Sequence, residues 1–221
     1  MGPVHQFAGN LTRWARVIRF AAAALVVAVA CDLVFGRPWR QHWGASPGEI
    51  ARTMPGDDRV ASPDEITTRA ITIRARPDQI YPWLAQMGRD RGGLYSYDGL
   101  DRLFGVLDRP SAQQLLPQFQ RLEPGDTIPV GGSAGWPVAI ATPGKVLLLD
   151  VDERGTRVTW VFTLEPTASS TTRLVTRVRG RLPWSWAKPI LLAVLDHAEF
   201  IMVRQQLLNL RERAERVAGT R

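Results

Sequence analysis

The sequence predicts an α+β protein: a curved antiparallel β-sheet wrapped around a long C-terminal helix, with one hydrophobic helix at the N-terminus. Three observations predict it. An almost unbroken apolar run, RFAAAALVVAVACDLVF, occupies Arg19 to Phe35. From Thr67 onward, short stretches of alternating or continuous apolar residues are separated by turn-forming residues. The final part, from about Trp186 to Val217, keeps a helical apolar repeat.

The chain has 221 residues, enough for one domain with a real core plus an appendage. Its formal charge is +7, and lysine occurs only at Lys145 and Lys188. The arginines are scattered rather than clustered among aromatics, which argues against a nucleic-acid partner. Runs such as Arg173 to Arg181 alternate with apolar positions and read as a solvated face. An anionic membrane surface is the partner that the charge favours.

Residues 1–36 read as a membrane anchor. Trp14 to Phe35 is long enough to cross a hydrocarbon core of roughly 30 Å, with Trp14 and Trp39 near the two interfaces. Asp32 weakens this reading, because a carboxylate is tolerated only near an end of a span. A cleavable signal peptide and a lipoprotein signal, with AVAC at Ala28 to Cys31, are the alternatives. Arg13, Arg16 and Arg19 before the span favour a cytoplasmic N-terminus and an extracytoplasmic domain, although Arg37 and Arg40 follow it. The lone cysteine excludes an intrachain disulfide.

Residues 37–66 carry Pro38, Pro47, Pro55 and Pro63 among glycines and acids, and read as a linker or surface strap. Residues 67–217 form the domain and 218–221 a tail. TTRAITIRA opens it as a strand, and PDQIYPWLAQMG follows as a short helix with Ile80, Trp83, Leu84 and Met87 on its apolar stripe. In RGGLYSYDGLDRLFG the glycines are chain punctuation, and a second short helix follows Ser96 with Leu100, Leu103 and Phe104 on one face. DTIPV, WPVAIAT, KVLLLDV, RVTWVFTLEP and TRLVTRVRGRL are consecutive antiparallel strands. Alternation puts Val158, Trp160, Phe162 and Leu164 on one side, with Trp136, Val138 and Ile140 behaving likewise. On the last helix, Leu191, Val194, Leu195, Ala198, Ile201, Met202 and Leu208 make one stripe; Phe200, Val203, Leu207 and Leu210 make another. One faces the sheet, and the other needs cover from the strap, a partner or the bilayer.

The order of elements, with WGAS at Trp43 to Ser46, PGDD at Pro55 to Asp58, RGGLYSYD at Arg91 to Asp98 and HAEFIMVRQQLLNLRERAE at His197 to Glu215, resembles the SRPBCC proteins of the START/Bet v 1-like superfamily. This type is also labelled polyketide cyclase/dehydrase and lipid transport. The resemblance covers about Trp43 to Val217 and implies a helix-grip fold around a cavity for an apolar ligand. No cofactor is expected, and no known catalytic motif matches residue by residue.

In such a fold Tyr95 and Tyr97 are expected at the cavity mouth, or else simply pack the short helix onto the sheet, with Asp98 capping it. Trp83, Trp136, Trp160 and Phe162 are expected as ligand-contacting aromatics, against the plainer reading of core. His197, Ile201 and Arg204 recur on one helical face and are expected to point toward a ligand carboxylate or carbonyl, unless they pair at the surface with Asp196 and Glu199. His5, His42 and His197 are too dispersed for a metal site. GGSAG at Gly131 to Gly135 matches a serine nucleophile elbow at Ser133, with Asp150 and His197 following in order. Its context is a hairpin rather than a strand–turn–helix. The function expected is therefore membrane-tethered binding or transfer of a lipid-like or polyketide-like molecule. A cavity-borne acid/base enzyme using His197, Tyr95, Tyr97 and Asp98 is the alternative, and protein partners are left open.

Overall fold

The computed structural model describes residues 19–103, 105–130, 135–168 and 170–219. Trp14, Arg13, Arg16, Phe104 and Ser133 therefore lie outside the described residues. The chain divides between Arg40 and Gln41 into two compact units.

Helix α1 (Arg19–Gln41), in the first unit up to Arg40, is long and apolar enough to cross a membrane. Its 23 residues extend about 34 Å. Phe20, Leu25, Val26, Val27 and Phe35 project outward from it. The structure gives Asp32 a local solution: Arg40 donates to its carboxylate through Nη1 at 2.6 Å and Nη2 at 3.0 Å. Residues eight apart meet because the helix takes a wider π turn over Asp32–Gly36. Gly36 makes the approach possible, since a Cβ there would stand 3.0 Å from Arg40 Nη1 and closer still to Asp32 Oδ1. The paired charge lies near the end of the apolar run, where its cost is lowest.

The second unit is built on a six-stranded sheet in the order β1-β6-β5-β4-β3-β2. The strands are β1 (Glu65–Ile73), β2 (Thr127–Ile128), β3 (Trp136–Thr142), β4 (Val146–Glu153), β5 (Thr156–Ala168) and β6 (Thr171–Arg181). Every pairing is antiparallel. Four helices accompany them: α2 (Pro47–Ala51), α3 (Pro77–Ala85), α4 (Asp98–Leu103) and α5 (Lys188–Gly219). This is the helix-grip order that the resemblance implies.

Period-two alternation gives each central strand two apolar faces. Ile71, Ile73, Leu147, Leu149, Trp160, Phe162, Leu164 and Leu174 face the main core, with Ile80, Trp83 and Leu84 of α3 and Val203, Leu207, Leu210 and Ala214 of α5. Ala70, Leu148, Val161 and Val175 face the other way and pack on Met54. One strand departs from the expected alternation. Trp136 and Val138 join the main core, but Ile140 packs on the Met54 side. The register slips between Val138 and Ile140, a bulge that turns every later side chain of β3 to the opposite face.

The segment expected as a surface strap covers the back of the sheet, and it meets α5 where the Trp43 ring lies against Arg204. Ser46 caps α2 in a reciprocal capping box with Glu49. Met54 is 3% exposed. Gly56, at φ +89°, lies against Leu148, and a Cβ there would come within 2.7 Å of Leu148 Cδ1. The arginines of β6 are correspondingly not a solvated face. Arg177 is 3% exposed and donates to Thr68 Oγ1 (2.8 Å), Asp57 Oδ2 (2.7 Å) and the carbonyls of Glu49, Ile50 and Arg52 (2.9, 2.8 and 2.8 Å). Arg173 donates to Glu49 at 2.7 Å and 2.9 Å, and that hydrogen bonding holds the Glu49 carboxyl down at about 2. Arg59 reaches Asp150 on the same face at 2.7 Å. The reason sequence reasoning missed this is tertiary: alternation locates the arginines on one face but not what covers them.

Candidate functional site

Between the sheet and α5 the strands contribute an aromatic row. Trp136 and Trp160 meet edge to face with ring centroids 5.8 Å apart, and Trp160 and Phe162 meet at 4.9 Å. Exposure falls along the row. Trp136 is partly exposed, Trp160 is 7% exposed and Phe162 is fully buried. The one polar atom of the Trp160 ring is committed, since Nε1 donates to Thr176 Oγ1 at 2.9 Å while that hydroxyl donates to the Val161 carbonyl. On the other side of the core, Trp83 of α3 packs edge to face on Tyr95 at 6.0 Å.

Three buried polar atoms in this layer have no hydrogen-bond partner among the described residues: Trp83 Nε1, Tyr81 Oη and Gln206 Oε1. Each costs about 1–3 kcal/mol if left unmade. Burial alone raises the Tyr81 phenol above its ordinary value. The layer is otherwise apolar, and these three groups are its unmet donors and acceptors among the described residues.

The RGGLYSYD loop is a hydrogen-bonded knot. Gly88 and Gly93 bridge one another, and Tyr95 sits in left-handed backbone at φ +58°. That conformation costs a non-glycine residue roughly 1–2 kcal/mol, and it is held by three contacts. Tyr95 N donates to Ser111 Oγ (3.1 Å), its carbonyl accepts from Asn209 Nδ2 (2.7 Å), and its hydroxyl accepts from Gln86 Nε2 (3.0 Å). Tyr95 is wholly buried, and burial pushes its phenol well above the ordinary range. It is thus a packing residue of the loop rather than a residue at a mouth. Tyr97 differs, being 39% exposed. Asp98 spends both oxygens on Ser111, one on its backbone N at 2.9 Å and one on its hydroxyl at 2.6 Å. Ser96 donates to Asp101, whose carboxyl burial drives upward. On α4, Leu100 and Leu103 are exposed.

His197, Ile201 and Arg204 do not turn into the main core. The buried face of α5 runs through Val203, Gln206, Leu207, Leu210, Arg213 and Ala214. Ile201 is 47% exposed. His197 is exposed too, with Nδ1 2.8 Å from the Ala193 carbonyl, and lines a shallow open apolar groove with Pro189, Ile190, Ala193 and Val194. Arg204 lies over the Trp43 ring at 5.2 Å. The hydrolase constellation is separated by the sheet: Asp150 faces the strap, bonded to Arg59, while His197 is on the helix across the other face. Among the described residues no cluster of three His, Cys, Asp or Glu side chains is placed to hold a metal ion.

The sequence reading missed the polar residues within the buried stripe of α5. Gln206 donates to the Leu94 carbonyl (2.9 Å), Asn209 to the Tyr95 carbonyl, and Arg213 to the Ala112 carbonyl (3.0 Å) while lying over the Tyr95 ring at 5.0 Å. Burial lowers the Arg213 pKa. Their signal was available, since positions 206, 209 and 213 share the stripe of Leu207 and Leu210 at i, i+3 and i+7.

The fold and this layer define a helix-grip domain preceded by an apolar helix. No family model and no curated protein matches the chain. Solved structures do. The di-domain aromatase/cyclase of the steffimycin biosynthetic pathway is similar over 70% of this chain at 14% identity and a TM-score of 0.44, and the match spans 51% of that protein, about half its length. The aromatase/cyclase Zhui of a Streptomyces species is similar over 69% of this chain and 94% of its own, at 14% identity and a TM-score of 0.40. A START superfamily protein from Mycobacterium smegmatis is similar over 69% of this chain and 98% of its own, at 10% identity and a TM-score of 0.40.

Proposed function

We propose that this chain is a membrane-tethered binder or carrier of a hydrophobic molecule, lipid-like or polyketide-like, held between the sheet and α5. The observation that carries the reading is the aromatic row Trp136, Trp160, Phe162, which runs from partial exposure to full burial. Ring faces of this kind accept flat or flexible apolar molecules without a charged partner. Trp83 Nε1 and Gln206 Oε1 supply one donor and one acceptor for a hydroxyl or carbonyl group on such a ligand. Helix α1 supplies the tether, with the domain on the extracytoplasmic side.

Acid/base catalysis has weaker support. Asp98 is engaged by Ser111, Tyr95 by Gln86, and His197 is exposed on the outer part of α5. Tyr97 is 39% exposed and, like His197, lies outside the buried layer.

Titration of the full-length protein with a fluorescent polyene fatty acid tests the reading. Wild type is expected to bind it saturably. Tyr97→Phe should weaken binding by no more than the roughly 0.5–1.5 kcal/mol typical of one neutral hydrogen bond, and His197→Gln, on the outer face of α5, should leave it unchanged. Failure of wild type to bind removes the carrier reading. Turnover of a bound carbonyl compound that disappears in His197→Gln replaces it with the enzyme reading.

A further inference from the structure

Among the described residues of the second unit, the large exposed apolar side chains concentrate in one place. Trp184 and Trp186, in the connection from β6 to α5, are 86% and 83% exposed. Ile190, Leu191, Val194 and Leu195 follow on α5 at 65%, 46%, 60% and 43%. Their spacing of i, i+1, i+4, i+5 puts these four on one helical face. They belong to the apolar stripe that the sheet does not cover, since the sheet takes the face through Val203, Leu207 and Leu210.

Two further observations say what covers it. The first is where the chain enters the domain. Gln41 donates to Glu65 at the start of β1, the Trp43 carbonyl accepts from Ala70 N, and the Trp43 ring lies under Arg204 of α5. Arg69 and Thr67 of β1 bond Glu199 of the same helix. The segment leaving the apolar helix is therefore pinned to β1 and the middle of α5, beside the exposed half. The second is charge. From Arg179 to Leu195 the chain carries no acidic residue; Lys188 pairs with Asp64 and Arg179 with Asp57, and Arg181 is exposed. The first acid of α5, Asp196, is buried. Exposed tryptophan beside exposed apolar residues, with no acid among them, is the composition that settles at the headgroup boundary of a bilayer.

We propose that Trp184, Trp186 and the first half of α5 form a second membrane contact, lying in the interface of the bilayer that α1 crosses. This rests on the reading of α1 as a span.

Site-directed spin labelling of the full-length chain in vesicles of phosphatidylcholine and phosphatidylglycerol tests it. In a Cys31→Ser background, single labels are placed through Ile190→Cys, Val194→Cys, Val26→Cys in the span and Arg154→Cys at the exposed β4–β5 turn. The labels at 190 and 194 are expected to collide with oxygen several-fold more, relative to an aqueous nickel chelate, than the label at 154. If 190 and 194 match 154 while 26 remains in hydrocarbon, the docking face is overturned and the tether stands. If 26 reads as aqueous, the span fails and this inference fails with it. Dipolar broadening between labels at 194 would assign the face to a second copy of the chain and overturn the bilayer contact.

Discussion

Replacing Arg177 with alanine is expected to destabilise the domain by about 3–5 kcal/mol, the range for removing one partner of a buried ion pair. The guanidinium is 3% exposed, and its donors go to Thr68, Asp57 and three consecutive-segment carbonyls of the strap. Removal leaves the Asp57 carboxylate and those carbonyls on the back of the sheet without their donor. Arg177→Lys keeps the charge but not the planar fork, so it should recover only part of the loss. The denaturation midpoint of the full-length protein in detergent reads the energy, and tryptic cleavage after Arg52 and Arg59 reads strap release. Acid should loosen the same fastening. The Glu49 pKa is depressed to about 2 from an ordinary 4.5 by its hydrogen bonds from Arg173. Its contribution is therefore complete above about 4.5 and disappears as pH falls toward 2. An Arg177→Ala protein as stable and as protease-resistant as wild type would mean that the strap is not held by this clamp.

Trp160→Ala is expected to cost about 3 kcal/mol or more, at the lower end of the range for buried tryptophan. The indole is 7% exposed and packed between Trp136 and Phe162, so most of its packing is lost. The value falls toward the low end because the site borders the proposed ligand layer, where a bound apolar molecule refills the space. Trp160→Phe retains a ring and should lose chiefly the bond to Thr176, about 1 kcal/mol. Unfolding of both variants with and without the polyene fatty acid separates the two contributions. Ligand should recover stability in Trp160→Ala. Equal losses with and without ligand would place Trp160 in plain core.

Much of the fold was legible because its determinants are local. The strands announce themselves by alternation between turn residues, and α3 and α5 by helical repeats with Pro77 and the long apolar stripes. The bulge in β3 was not legible, since no breaker marks Ala139 within WPVAIAT. For the strap, the sequence left linker and surface strap both open. Its glycines and acids look like solvated linker until Gly56 is seen against Leu148 and Asp57 against Arg177. The motifs that carried the family resemblance turn out to fasten elements together: Glu49 follows the WGAS turn onto Arg173, Asp57 of PGDD holds Arg177, Tyr95 and Asp98 of RGGLYSYD lock their loop, and Glu199 of HAEF holds Arg69. Strand parity put Trp160 and Phe162 on one face, which is where they lie with Trp136, while the polar residues Gln206, Asn209 and Arg213 were passed over. Helical parity alone did not reveal which of two stripes on α5 would be buried, and His197 and Ile201 were placed on the wrong side for the core.

Native mass spectrometry of the full-length protein, released gently from membranes, tests the central claim most directly. The account predicts a population heavier than the chain by one discrete apolar molecule, recoverable in organic solvent and diminished in Trp160→Ala. A protein that always flies at its bare mass, with nothing apolar recovered by extraction and no uptake of the polyene fatty acid, would contradict it.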